Sequence, residues 1–497
     1  MIRTFSILVF LAALVTVRAA DYYAAPSGSD GAAGTLAAPL SLQSAIGASS
    51  PATANDTIYL RGGTYLASAG ISGNGYFSYL AGTPGSPINV RPYASELPVI
   101  EASETNQYCL FVYGSNTWFR GIECRNTAST RAIRNAGIML RSPGVKLINC
   151  VIHDAGVGVY VGEESAGAEL YGNLIYNCGD EDTTVGQKHG IYAHSAGSGT
   201  VIKDNVVLNG YFFGIHCYSE EPGQLDNFQV IGNIVSESGI LGPYRSPNIL
   251  VGGTYSADAA SVAQNMGYFS TGSADNLQLG YDVTENGTAS VASNYFGRGT
   301  VTVNHWTNLT FRANSIVNPS TSFHYNPSAG TNVYDWDANT YVSSMPFSVD
   351  NTDTYSFGAW QSASGFDAAS TYTLSAATGS QVFVRTNAYE TGRANVAIYN
   401  WDLADAVSVD LSSACTAGQT YAIRNAANYF GGIISTFTYA GAPVAFPMTG
   451  LTPAAPAGAS TPAATGPEFN AFILESAPQA RPGLRIGNLN TARIIIR

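Results

Sequence analysis

Through the middle of the chain a short unit recurs: an apolar pair, an Asn, then further apolar residues. It reads Leu147-Ile148-Asn149-Cys150-Val151-Ile152 and again Leu170-Tyr171-Gly172-Asn173-Leu174-Ile175. Val201-Ile202-Lys203-Asp204-Asn205-Val206-Val207 and Val230-Ile231-Gly232-Asn233-Ile234-Val235 continue it, with weaker copies around Asn265, Asn294 and Asn314. Successive Asn residues are 24, 32, 28, 32, 29 and 20 positions apart. Segments this short and β-branched predict strands, not the helices of an α-solenoid. The loose period predicts a solenoid whose coils stack at the ~4.8 Å strand spacing, because one coil alone cannot bury its apolar face. An Asn at one place in each coil predicts a ladder of side-chain amide hydrogen bonds at an inward bend.

A second pattern follows each Asn: a Gly or Asn, then alternating residues. The copies are Gly137-Ile138-Met139-Leu140-Arg141, Gly158-Val159-Tyr160-Val161-Gly162, Gly190-Ile191-Tyr192-Ala193-His194, Gly214-Ile215-His216-Cys217-Tyr218 and Asn248-Ile249-Leu250-Val251-Gly252. Strand side chains alternate, so Ile138, Val159, Ile191, Ile215 and Ile249 are expected inside as an aliphatic stack. Two outward columns result: Met139, Tyr160, Tyr192, His216 and Leu250, then Arg141, Gly162, His194, Tyr218 and Gly252.

The chain opens with Tyr22-Tyr23-Ala24-Ala25-Pro26-Ser27-Gly28-Ser29-Asp30 and the helix-like Ser41-Leu42-Gln43-Ser44-Ala45-Ile46. Ile58-Tyr59-Leu60-Arg61-Gly62-Gly63-Thr64-Tyr65 and Gly85-Ser86-Pro87-Ile88-Asn89-Val90-Arg91-Pro92-Tyr93 follow. With these features, residues 21–345 resemble the pectate-lyase-like superfamily of right-handed parallel β-helices. The resemblance implies that the short helix caps the first coil and hides its open edge. It is specific for fold and weak for activity, since lyases, hydrolases, epimerases and adhesion proteins share the scaffold. Residues 336–339 and 357–367 look like the closing strand and cap. From residue 381 longer alternating strands, such as Asn395-Val396-Ala397-Ile398-Tyr399-Asn400-Trp401, suggest a small antiparallel β-sandwich. Trp401 or Tyr429 there could bind carbohydrate, although packing is the plainer role. Residues 453–467, rich in Ala and Pro, read as an ordered turn region or linker. The expected organisation is therefore a signal peptide (1–19), an all-β right-handed parallel β-helix with N-terminal cap (20–378), a β-sandwich (379–475) and an unassigned tail (476–497).

The signal peptide rests on Arg3, the apolar run 5–17, and small residues before a cut after Ala19. It predicts an exported protein, extracellular or periplasmic, and no later run is long enough to span a membrane. Without Arg3 and Arg18 the chain carries 20 basic and 34 acidic residues, a net charge of −14. That argues against nucleic acid or an anionic membrane as partner; a monomer acting on a polysaccharide is expected. Cys109, Cys124, Cys150, Cys178, Cys217 and Cys415 show no metal-binding spacing. Cys124 and Cys150 could meet on neighbouring coils, but small buried thiols within the stack are the plainer reading.

Three of the six His residues, His189, His194 and His216, fall in one short region. In the expected register Tyr192, His194, His216 and Tyr218 form one patch, columns ~7 Å apart, with Lys188 a step upstream on the same face. A uronate lyase must remove a proton beside a carboxylate, neutralise that carboxylate and protonate the leaving oxygen. Lys188, Tyr192, His194, His216 and Tyr218 are the catalytic candidates; Arg141, Tyr160 and Arg245 are the substrate-binding ones. The competing reading is an ordinary surface stack chosen for β-propensity. Asp180, Glu181 and Asp182 could bind calcium, which takes several oxygens, or serve a glycoside hydrolase; adjacent acids are also common on solvated loops. Glu163-Glu164 and Glu220-Glu221 could rim the same groove. His189 has inward parity and reads as a satisfied buried histidine, with a supporting role behind the site as the alternative, and His153-Asp154 reads as structural. Lyases of the superfamily often pair such a groove with Lys, Arg or His bases and calcium. The leading expectation is β-elimination of a uronate polymer, with hydrolysis or glycan binding without turnover as alternatives.

Overall fold

The computed structural model describes residues 19–132, 135–180, 187–271, 274–319, 323–330, 332–342, 346–350 and 353–477. The residues up to 18, where a signal peptide is expected, and the tail beyond 477 lie outside them, as do Glu181 and Asp182. By internal packing the chain divides into two units. One runs to Gly379 and includes Pro453–Thr465; the other comprises Ser380–Thr452 and the residues from Gly466 onward.

The first unit is a parallel β-helix of three 12-stranded sheets. Each strand pairs with the equivalent strand of the next coil. Among the described strands of this unit, Phe347–Val349 and Asp353–Tyr355 alone pair antiparallel, at the end of one sheet. The aliphatic stack runs in register from Ile138 through Val159, Ile191, Ile215 and Ile249 to Leu277 and Val301. All seven are fully buried, each contributing roughly 1.5–3 kcal/mol against solvent exposure.

The Asn ladder forms, with one correction to its start. Oδ1 of Asn205 accepts from the backbone N–H and Nδ2 of Asn173 at 3.0 and 2.9 Å. The same double contact repeats through Asn233, Asn265, Asn294, Asn314 and Asn339. Nδ2 of Asn339 ends it by donating to the buried Asp367. Asn149 is not a rung. Ile148 pairs with Tyr171 and Val151 with Leu174, so Cys150 holds the ladder position, its N–H donating to Asn173. Asn149 instead shares the left-handed conformation of Gly172, at φ 54° against 65°, which Asn tolerates better than most side chains.

The helix Leu42–Ile46 is capped by Ser41, whose hydroxyl accepts from the Ser44 N–H, and it buries Leu42, Ala45 and Ile46 over the first coil. At the far end Phe323, Trp336, Tyr341, Phe347 and Trp360 of the helix Phe357–Ser364 close the core. All six cysteines are buried and unbridged. Cys124 and Cys150 therefore fill space and do not form a disulfide. No helix among the described residues is long and apolar enough to cross a membrane.

Pro453–Thr465 is part of the first unit. The Ala457 N–H donates to Asp154 at 2.7 Å, and its carbonyl accepts from the buried Arg131. The Ala454 carbonyl accepts from Asn177.

In the second unit five antiparallel strands, including Ala394–Asn400 and Phe469–Ser476, form one sheet, and Ala406–Val409 pairs with Val444–Pro447 in another. Val396, Ile398, Phe446 and Phe472 lie in its core. Tyr429 is no open sugar platform: its hydroxyl donates to Glu475 at 2.9 Å and the Arg424 guanidinium lies 5.1 Å over its ring.

Candidate active site

The residues that open each of these strands shape the site. At Gly137, Gly158, Gly190 and Gly214 a Cβ would lie 2.5–2.6 Å from the core side chains of Ile152, Ile175, Val207 and Val235 in turn. Glycine is required there because the chain enters the strand against the packed interior. Asn248 takes the equivalent place in the next coil, where its amide reaches Asn276 and the Tyr268 carbonyl.

From these entries the strands Val157–Val161, Ile191–Ala193 and Ile215–Cys217 run side by side. Tyr160 pairs with Tyr192, and Tyr192 with His216. The outward column is thus the expected one, flanked by Met139 and Leu250. His194 and Tyr218 stand two residues further along. Tyr192 lies 5.2 Å from Tyr160, 5.3 Å from His194 and 5.5 Å from His216 between ring centres, and His216 stacks on Tyr218 at 5.0 Å. A cleft of about 430 Å³ opens over these rings, within the size range of small-ligand sites.

His194 sits in a defined network. Its Nε2 is 3.0 Å from the Tyr160 hydroxyl and its Nδ1 is 2.7 Å from Oε1 of Gln224. Gln224 in turn donates through Nε2 to Glu163 at 2.8 Å and accepts from Ser219 at 2.8 Å. Tyr218 keeps its proton: burial, then Tyr281 and Glu220, push its phenol above the usual range.

His216 faces the cleft but is only 6% exposed. It stacks on Phe213 at 4.1 Å, and its Nδ1 lies 3.3 Å from Nε2 of His189. Its Nε2 is closed off from solvent. Burial, then the neighbouring His189, hold it well below the ordinary histidine value. His216 is therefore a neutral wall of the cleft and not an accessible base.

Other expectations change. Lys188 does not share the outward face: it is 1% exposed and its ammonium pairs with the buried Asp180. Burial, then Arg131, push Lys188 down to about 8. The reason is local. Residues 187–190 precede the strand, Gly190 bends the chain, and the alternation does not extend back through it. His189 consequently lines the cleft, stacked on Tyr192 at 5.3 Å, instead of serving only as interior packing. Asp180 does not fit a calcium ligand, since one oxygen meets Lys188 and the other accepts from the Arg131 N–H at 2.6 Å. Among the described residues no three His, Cys, Asp or Glu side chains converge as a metal-binding set.

Arg141 lies across Gly162, where a side chain would be 2.7 Å from its Cδ, and pairs with Glu164 at 2.6 Å. Arg245 is not brought to the cleft; it pairs with Glu237 at 2.6 Å and covers Phe269. Of the acidic pairs, Glu220 and Glu221 line the cleft, while Glu163 is held by Gln224. Sequence reasoning missed Gln224, Phe213 and Tyr281. Nothing in the spacing marks them, because they leave loops or follow strands of other coils.

Chemically, the cleft offers a histidine within proton-transfer distance of one phenol, Tyr160, with Tyr192 and Tyr218 in the same aromatic wall. Residues 22–234 match the family model described as the Pel9A-like, right-handed β-helix region. Pectate lyase PEL9 of Emericella nidulans is 44% identical over 100 residues, 20% of this chain and 22% of that protein. The chain thus matches about a fifth of the length of this curated relative. Among solved structures, pectate lyase Pel9A aligns at TM-score 0.44 and 14% identity over 68% of this chain and 78% of its own. XylC in complex with xylose aligns at 0.43 and 11%, over 80% and 91%. The chain folds as a right-handed parallel β-helix, and its residues 22–234 form a Pel9A-like β-helix region.

Proposed function

We propose that this protein is an exported polysaccharide lyase that cleaves a uronate-containing chain by β-elimination in the cleft over Tyr160, Tyr192 and His194. The observation that carries the reading is the Tyr160–His194 hydrogen bond, 3.0 Å long, at the wall of that cleft. The pair is the base side of the reaction. Tyr218, with its phenol held protonated, is the acid for the leaving oxygen, a division of labour that general acid–base catalysis requires. Arg141 lies in the same column as His194, two coils away, or ~10 Å, where it can meet the carboxylate of a neighbouring sugar. The local identity to a pectate lyase supports the reaction class.

The test is ultraviolet absorbance of the unsaturated uronate product on pectate, alginate, glucuronan and glycosaminoglycans, with and without EDTA. A rising signal on one polymer names the substrate. A flat trace on all of them overturns the reading.

A further inference from the structure

The chain of contacts behind His194 determines where its proton sits. A carboxylate oxygen only accepts, so the Gln224 atom facing Glu163 is the amide nitrogen, at 2.8 Å. The carbonyl end, Oε1, then faces Nδ1 of His194 at 2.7 Å and also accepts from Ser219. An amide oxygen cannot donate, so Nδ1 carries the hydrogen. In the neutral ring Nε2 is then the bare nitrogen, and it lies 3.0 Å from the Tyr160 hydroxyl. Gln224 is 7% exposed and held at both ends, so this orientation is built in.

We propose that Gln224, anchored by Glu163, is a positioning residue that fixes His194 as the Nδ1–H tautomer and thereby makes the Tyr160 oxygen the atom that abstracts the substrate proton. This rests on the lyase reading and adds which atom acts and what prepares it. In the step, the carbon-bound proton passes to the Tyr160 oxygen as the phenolic proton passes to Nε2 of His194. The C–H electron pair becomes the new C=C bond, and the bond to the glycosidic oxygen breaks. That oxygen takes a proton from Tyr218. The resulting His194 cation keeps its Nδ1–H bond to Gln224. Among the described residues, Glu164 interacts electrostatically with His194 and Glu163 holds Gln224 behind it, while Tyr192 and Tyr160 face it from the adjoining strands.

The first arm of the test reads the wild-type protein and uses one variant only to assign its signals. Nitrogen-15 NMR of imidazole-labelled full-length protein, with the His194 signals identified by their loss in His194→Asn, should show protonated Nδ1 and bare Nε2. Gln224→Leu should move the signals toward the Nε2–H form and lower kcat about 100-fold or more, with KM changed much less, as expected when a wrong tautomer is left in place. Tyr160→Phe should keep the wild-type tautomer and lose turnover to a similar degree. An Nε2–H signal in wild-type protein that eliminates, or wild-type turnover in Tyr160→Phe, overturns this inference alone. No elimination on any polymer overturns it together with the lyase reading.

Discussion

Nδ1 of His216 lies 3.3 Å from Nε2 of His189, so one imidazole donates to the other and a second charge there is disfavoured. The folded protein holds His216 neutral below the ordinary histidine range, through burial first and His189 second. The unfolded chain takes up a proton near pH 6.5 and the folded one does not. Stability attached to this residue is thus intact above that pH. It falls as the pH drops toward the folded value, by up to about 1.4 kcal/mol per pH unit. Urea midpoints of wild type should decline more steeply between pH 7 and 5 than those of His216→Phe. The comparison has to be a difference, because His153 works in the opposite direction. Burial opposes its charge, but Asp154 and Glu123 raise it; its contribution is full at low pH and lost as pH rises through its folded value.

The buried position of His216 also separates it from the phenols. His216→Phe should keep kcat within about tenfold, since a phenyl ring can occupy the stack between Phe213 and Tyr218. Tyr218→Phe should lower kcat about 100-fold, within the usual range for a lost general acid. Steady-state rates on the preferred polymer decide this, and equal losses in the two variants would count against the assigned roles.

Lys188 and Asp180 neutralise each other inside the protein. Lys188→Met should cost about 3–5 kcal/mol, because it strands a buried carboxylate. Lys188→Met combined with Asp180→Leu should recover most of that loss. Denaturant titration reads both. A single variant as stable as wild type would mean that the pair is not buried.

Asn233 contributes its carbonyl to the backbone and side chain of Asn205 and its amide to the Ile202 carbonyl and Asn265. Asn233→Ala should therefore lower stability by about 3 kcal/mol, since several buried groups lose partners at once. Asn149→Ala, outside the ladder, should cost much less; the two melting curves make the comparison.

Much of this was legible because a strand has a period of two. Once Ile191 is placed inside, Tyr192 must face out, and the identical count in neighbouring coils aligns Tyr160, Tyr192 and His216. The count failed where the chain was not extended. Gly190 broke it for Lys188 and His189, and Asn149 imitated a rung because Asn suits both a ladder and a left-handed bend. The partners of His194 were hidden for another reason. Gln224 is 30 residues from it and Glu163 is 61 from Gln224, on loops whose lengths differ from coil to coil.

The chain leaves the solenoid at Ser380–Thr452, returns to Arg131, Asp154 and Asn177 through Pro453–Thr465, and leaves again from Gly466, so the two units are interleaved along the sequence. One cut cannot separate the two. A truncation after Gly379 would remove the partner of the Asp154 carboxylate and uncover Arg131 beside Asp180, near the entry to the cleft strands. The smaller unit could instead be excised by joining residue 379 to residue 453 through a short linker and ending the chain after Thr465, which keeps the strap on the solenoid. During synthesis the coils around residues 128–177 emerge hundreds of residues before the segment that covers them, so their final packing must await the end of the chain.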